Sequence, residues 1–87
     1  MSEILREENI QMLAVKLDQL FFDIDPYEYR DQIDNQEDHV EMLTDQLRNG
    51  EAYDIRNSLL EFMKEEHVDG ELADELIDLI GELEELE

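Results

Sequence analysis

The chain has 87 residues, of which 27 are acidic and 6 are Lys or Arg, and its formal net charge is -21 at pH 7. This charge excludes direct binding to nucleic acid or to anionic membranes, unless a cation or another protein bridges the contact. The absence of cysteine excludes disulfides, thiolate zinc sites and cysteine nucleophiles. An apolar fraction of 41 % is too high for an acidic disordered tail, so we expect one folded domain over residues 1–87.

The first predicted helix covers about residues 3–22, with Ser2 as a plausible N-cap. Apolar residues recur along it at spacings of three and four, which indicates one buried helix face. The members of this face are Ile10, Leu13, Ala14, Leu17, Leu20 and Phe21. No secretion signal precedes the helix and no apolar run is long enough to span a membrane, so we expect a cytoplasmic protein.

A second, short helix is predicted over residues 26–32. Asp25 suits an N-cap, Pro26 suits the first helical position, and Glu28 stands where a capping box places its acid. The pattern therefore predicts a break in the chain near Asp23.

The third helix is predicted to begin after Asp34, because Asp34 and Glu37 repeat the capping pattern. Its apolar stripe comprises Val40, Leu43 and Leu47. Asn49 and Gly50 are predicted to end it, since glycine accepts a positive φ without steric cost.

The fourth helix is predicted over about residues 51–67 and the fifth over about residues 71–83 or beyond, joined by a turn at Asp69-Gly70. The inward positions of the two helices are Ala52, Ile55, Leu59, Phe62, Met63, Leu72, Leu76, Leu79, Ile80 and Leu83. Gly81 lowers the stability of the helix, so we expect either that a neighbour packs closely against it or that the helix end frays. The fraying would affect residues 84–87. The absence of strand patterns and the short connections predict an all-α fold, a compact bundle of four to five short helices.

The last helix carries a row of acids on one face, at spacings of four and three. Its members are Glu71, Glu75, Asp78, Glu82 and Glu85. The row extends over roughly 21 Å at 1.5 Å per residue. Its five charges over this length resemble the spacing of phosphates along a nucleic-acid strand, which is about 3.4 Å axially and somewhat more along the backbone. Like charges at these spacings destabilise an isolated helix, so the row favours a role in binding.

A second acidic stretch lies between Asp18 and Asp45, interrupted only by Arg30. Four of its acids are expected to be free of structural roles and are candidates for partner binding: Asp31, Asp38, Glu41 and Asp45. Tyr27 and Tyr29 stand beside this stretch and are candidates for an interface hot spot. Arg30 is expected to pair with a neighbouring carboxylate.

Signatures of metal or catalytic chemistry are missing. An EF-hand loop starting at Asp34 fails because its sixth position is His39 rather than glycine. A di-iron bundle needs Glu three residues before His, and neither His39 nor His67 has it. Both histidines are interpreted as surface or capping groups, and we expect no enzyme activity, no metal site and no cofactor.

The segment from Phe22 to Asp31 is followed by apolar and turn residues at a regular cadence: Val40, Leu43, Leu47, Gly50, Ile55 and Leu59. This cadence, over residues 20–65, resembles small helical modules in proteins of conjugative and other mobile elements of Gram-positive gut bacteria. By size and charge alone, the chain is also similar to the DNA-mimic class, acidic inhibitors of restriction enzymes or CRISPR nucleases. Both resemblances imply a mobile element that counters a host defence or manages its own transfer, and neither assigns functional residues.

Three functions follow from these patterns. The leading one is a protein-binding inhibitor that mimics nucleic acid and occupies the nucleic-acid site of a basic defence protein. The second is an adaptor module that binds one partner by apolar helix faces, with the acids serving solubility only. The third is an acidic, antitoxin-like partner that neutralises a basic protein encoded nearby.

Overall fold

The structure, a computed structural model, describes residues 3–86, with side chains from residue 6 onwards. Five α-helices follow one another: α1 (Glu3–Ile24), α2 (Pro26–Gln32), α3 (Gln36–Arg48), α4 (Ala52–Glu66) and α5 (Gly70–Leu86). No strand occurs within this part of the chain. The predicted all-α bundle of four to five helices is confirmed.

Helix α1 is the centre of the bundle, because α2, α3 and α5 all pack against it, whereas α4 packs mainly against α5. The predicted apolar faces of α1, α3, α4 and α5 meet in one core. Its buried aliphatic residues include Ile10, Leu13, Leu17, Leu20, Leu43, Leu47, Leu59, Leu76, Leu79 and Leu83. Phe21 departs from the prediction, since 36 % of its surface remains exposed.

The break between α1 and α2 lies at Asp25 rather than near Asp23. Asp25 is extended at φ -153°, and its side chain accepts hydrogen bonds from the backbone N–H groups of Tyr27 and Glu28. A residue that precedes proline is disfavoured in the α conformation, so Pro26 places the break at Asp25. The predicted N-cap and first helical position of α2 are therefore confirmed, while α1 extends two residues further than predicted.

The sequence predicted Asp34 as the N-cap of α3, but the N-cap in the structure is Asn35. The Asn35 side chain accepts hydrogen bonds from the N–H groups of Glu37, at 2.9 Å, and Asp38, at 3.3 Å. Asn and Asp cap helices about equally well, so local preference could not choose between the two residues.

The end of α3 follows the predicted turn chemistry, whereas the end of α4 has a left-handed residue that the sequence pattern did not predict. Gly50, at φ 82°, ends the turn after α3, and His67, at φ 50°, is the left-handed C-cap of α4. Within the described part of the chain, no atom comes within 4 Å of the position that a Cβ of residue 81 would take, so Gly81 has no close neighbour there, and α5 continues to Leu86. The structure thus shows no fraying over residues 84–86, while Ser2 and Glu87 lie outside the described residues.

Candidate functional site: acidic faces, a buried carboxylate and an apolar groove

The acidic row of α5 divides into an outer and an inner part. Glu71, Asp78 and Glu85 are exposed, and Asp74, which the spacing pattern omitted, is exposed beside them. Glu75 and Glu82 are half-buried and face α1, where Glu82 accepts a hydrogen bond from Lys16 Nζ at 2.8 Å. The outer part of the row is therefore free to meet a partner, whereas the inner part borders the α1–α5 contact.

Glu75 is placed against a second carboxylate, that of Asp23 on α1. Burial raises the pKa of Glu75, and the neighbouring Asp23 carboxylate raises it further, both by its charge and by accepting a hydrogen bond from the protonated form of Glu75. Lys16 contacts Glu82, and Asp23, further along α1, contacts Glu75, which comes earlier in α5. Helices α1 and α5 are therefore antiparallel. One contact is attractive and the other repulsive.

Replacing Glu75 by Gln is expected to raise the free energy of unfolding at neutral pH by about 0.5 kcal/mol, because it removes a like-charge contact that water partly screens. The pKa of Glu75 in the folded protein lies above its ordinary value of 4.5. Protonation of Glu75 therefore stabilises the fold, fully below pH 4.5, and this stabilisation is lost as pH rises through the folded-state pKa. The advantage of Glu75→Gln should therefore disappear in acid. Urea unfolding at neutral pH and at about pH 4 measures both effects.

Glu71→Gln is the matched control for this substitution, because Glu71 is exposed one turn away on the same face. It should change the stability less than Glu75→Gln at neutral pH. A Glu75→Gln protein less stable than the wild type at neutral pH would contradict the repulsive contact.

The second predicted set is exposed, but it is not one cluster. Asp38, Glu41 and Asp45 share the outer face of α3, whereas Asp31 stands on α2. Asp45 forms an ion pair with Arg48, 3.0 Å from its Nη1. This partner makes Asp45 less free than the sequence indicated.

Two aromatic candidates and their neighbouring arginine have different environments. Tyr27 is 83 % exposed. Tyr29 is half-buried and its hydroxyl is engaged inside the protein. Arg30 stacks over the Phe22 ring, with its guanidinium carbon 5.9 Å from the ring centroid. The predicted pairing of Arg30 with a carboxylate is not among the described ion pairs.

Few of the carboxylates are neutralised by described basic side chains. The ion pairs involve Lys16, Arg48 and Arg56, and they engage four carboxylates: Glu7, Asp45, Glu82 and Glu84. The other acids with described side chains belong to no such pair, so most of the negative charge of this part of the surface has no basic partner.

The structure also buries a carboxylate, that of Asp18, which is only 1 % exposed. Asp18 accepts hydrogen bonds from the Tyr29 hydroxyl at 2.5 Å, from Gln36 Nε2 at 2.9 Å and from His39 Nδ1 at 2.7 Å. An ionised carboxylate only accepts hydrogen bonds, so the proton of this contact lies on His39 Nδ1. The four side chains join α1, α2 and α3 through one polar network.

The network explains two pKa shifts. Burial alone would raise the pKa of Asp18, but the hydrogen bonds from His39, Tyr29 and Gln36 outweigh burial and hold that pKa below its ordinary value. Burial and the adjacent Asp18 carboxylate raise the pKa of Tyr29 to about 12. Asp18 is therefore charged at neutral pH, and Tyr29 remains a donor.

The interpretation of His39 as a surface or capping group was wrong, since its side chain is only 10 % exposed and contacts Asp18. The sequence did contain a signal for this site. Asp18 follows Ala14 by four residues and precedes Phe21 by three, so it interrupts the apolar face of α1. A polar residue on an otherwise apolar face is the informative exception in a helical pattern.

Beside this network lies an apolar groove of about 510 Å³. It is lined by residues of α1, α2, α3 and α4, including Tyr29 and His39 of the polar network. It arises because α4 packs mainly against α5, which leaves α3 and α4 apart although a short turn joins them.

No known protein family, curated protein sequence or solved structure matches this chain. None of the helices within residues 3–86 combines the length and the apolarity needed to cross a membrane. The described side chains also include no group of three or more His, Cys, Asp or Glu residues placed to hold a metal ion.

Proposed function

We propose that the protein is an inhibitor that binds a basic, nucleic-acid-binding protein and occupies its nucleic-acid site. The observation that carries the proposal is the outer acidic face of α5, formed by the exposed Glu71, Asp74, Asp78 and Glu85. None of these four acids belongs to a described ion pair. Their charge is therefore available to a partner.

Clustering of the charge is what makes the proposal physically reasonable. A net charge of -21 on 6158 Å² of accessible surface is one charge per roughly 290 Å². DNA carries one charge per 1.7 Å of axis, or about one per 110 Å² of a cylinder of ~10 Å radius. The average surface is too sparse to resemble DNA, so α5, with its four exposed carboxylates over roughly 21 Å, is the favoured contact face.

The mechanism is competition. Carboxylates of α5 take the place of phosphates against Lys and Arg of the target, and the remaining negative surface speeds the encounter of the two proteins. Exposed charge pairs are screened by salt, so binding should weaken steeply as the salt concentration rises. The resemblances of this chain to mobile-element modules and to DNA mimics favour a restriction or CRISPR-type enzyme of the cytoplasm as the target.

Capture from a lysate of the encoding organism tests this function. The protein is immobilised, the lysate is applied at about 50 mM salt, and bound proteins are eluted along a salt gradient or with added DNA or RNA. We expect a basic nucleic-acid enzyme that moderate salt releases and nucleic acid displaces. Polyglutamate on the same support is the control for simple attraction of cations. A partner that survives high salt and ignores nucleic acid would contradict the proposal.

A second candidate function, an adaptor module that binds one partner by an apolar surface, is favoured by the apolar groove that α1, α2, α3 and α4 line. An adaptor would hold its partner at high salt, and loss of apolar side chains rather than acids would abolish the contact. Tyr29 lines this groove and would belong to the contact, whereas the exposed Tyr27 of α2 lies outside the lining.

A further inference from the structure

The groove has apolar walls that water reaches. Its lining comes from Phe21 and Ile24 of α1, Met42 and Leu43 of α3, and Ile55 and Phe62 of α4. Met42 is 48 % exposed and Phe21 is 36 % exposed, so large apolar side chains on two walls have no cover. Exposed neighbouring apolar groups of this kind are typical of a surface that a partner buries.

The charged side chains of the groove have one sign. Asp25 and Glu28 stand at its α2 end, and its lining among the described residues includes no Lys or Arg. His39, the remaining titratable base in the lining, donates its Nδ1 proton to Asp18. A ligand in the groove therefore meets apolar walls and a negative rim.

We propose that this groove binds an amphipathic, cationic helix of a partner protein. The apolar face of such a helix would cover Phe21 and Met42, and its flanking Lys or Arg side chains would lie beside Asp25 and Glu28. A small ligand is less suited, because the walls are open to water and small-molecule sites bury most of their ligand.

A second copy of this chain is disfavoured as the occupant, because each copy carries a net charge of -21. The groove lies apart from the outer face of α5, and this inference does not depend on nucleic-acid mimicry. Either surface can be tested while the other is left unchanged.

A designed Leu/Lys peptide of about 18 residues, with Leu at positions i, i+3, i+4 and i+7, is the probe. Its affinity is measured by fluorescence anisotropy at roughly 300 mM salt, where simple charge attraction is screened. A peptide of the same composition in scrambled order has the same charge but no apolar face. We expect the amphipathic peptide to bind at least about tenfold more tightly than the scrambled one.

The substitution Met42→Glu distinguishes binding in the groove from general charge attraction. The substitution adds a negative charge, so binding by charge alone would become tighter, whereas binding in the groove should weaken about tenfold through loss of apolar contact. Met12→Glu is the matched control, since Met12 is 58 % exposed on α1 and does not line the groove. It should leave the affinity within about twofold.

Methionine methyl resonances of the wild-type protein give a second measurement that needs no variant. On titration with the amphipathic peptide, the Met42 methyl signal should shift and the Met12 signal should stay in place. Equal shifts at both methyls, equal binding of the two peptides, or unchanged or tighter binding to Met42→Glu would overturn the proposal. So would a free protein that sediments as a dimer and dissociates on Met42→Glu, since the groove would then hold a second copy.

Discussion

Replacing Glu71, Asp78 and Glu85 together by Lys is expected to abolish binding to the basic protein that the low-salt capture isolates. Each substitution converts an attractive contact into a repulsive one, at roughly 1 kcal/mol or more per position, which together is about a hundredfold or more in affinity. All three residues are exposed on the outer face of α5, so the fold should tolerate the change. Calorimetry or anisotropy at low and moderate salt measures the loss, and circular dichroism checks the helix content.

A matched control tests whether position or total charge matters. Glu61, Glu65 and Glu66 are exposed acids of α4, and their joint replacement by Lys changes the net charge by the same amount. This control should keep most of the affinity if α5 is the contact face. Equal loss in both triple variants would show that only the total charge acts, and retained binding in the α5 variant would refute the proposed face.

Asp18→Asn is expected to lower the free energy of unfolding by about 2–3 kcal/mol at neutral pH. Three donors meet the Asp18 carboxylate, and hydrogen bonds to a charged group are the stronger kind. The amide of Asn carries two N–H donors of its own, so at least one donor of the network would face another donor. The loss is large beside the roughly 4–13 kcal/mol expected for a domain of this length. Urea unfolding followed by helix content measures it.

The pH dependence of this difference has a defined sign. The pKa of Asp18 is lowered in the folded state, so its stabilising contribution is full above the ordinary value of 3.8 and is lost as pH falls through the lower folded-state value. The gap between wild type and Asp18→Asn should therefore be widest at neutral pH and close below about 3.8. Asp38→Asn makes the same chemical change at an exposed site and should leave the stability unchanged or slightly higher. An Asp18→Asn protein as stable as the wild type at neutral pH would show that the network contributes nothing.

The network and the groove are physically connected. Tyr29 and His39 donate to Asp18 and also line the groove, and the Phe21 and His39 rings lie 5.6 Å apart. The polar network therefore fixes the positions of side chains that form the groove walls. Loss of Asp18 should disturb the groove as well as the stability, whereas the α5 variants should affect neither.

The sequence by itself determined the helices, most of the core and the charge. Apolar periodicity depends only on which residues share a face, so the inward positions of α1, α3, α4 and α5 were readable, with Phe21 as the exception. The N-cap at Asp25 was readable because a cap acts on its own backbone neighbours. The cap of α3 was not, since Asp34 and Asn35 are near equals in local preference.

Only the tertiary structure decided what stands across from each helix face. The burial of Asp18 depends on donors 11 to 21 residues away, brought to it by the packing of α2 and α3 on α1. The division of the α5 row into free and engaged acids depends on the antiparallel register with Lys16 and Asp23. The groove exists because α4 packs mainly against α5 and not against α3. A helical period states which residues face inward, but the contact each one makes depends on how whole helices pack, which is a property of the assembled bundle.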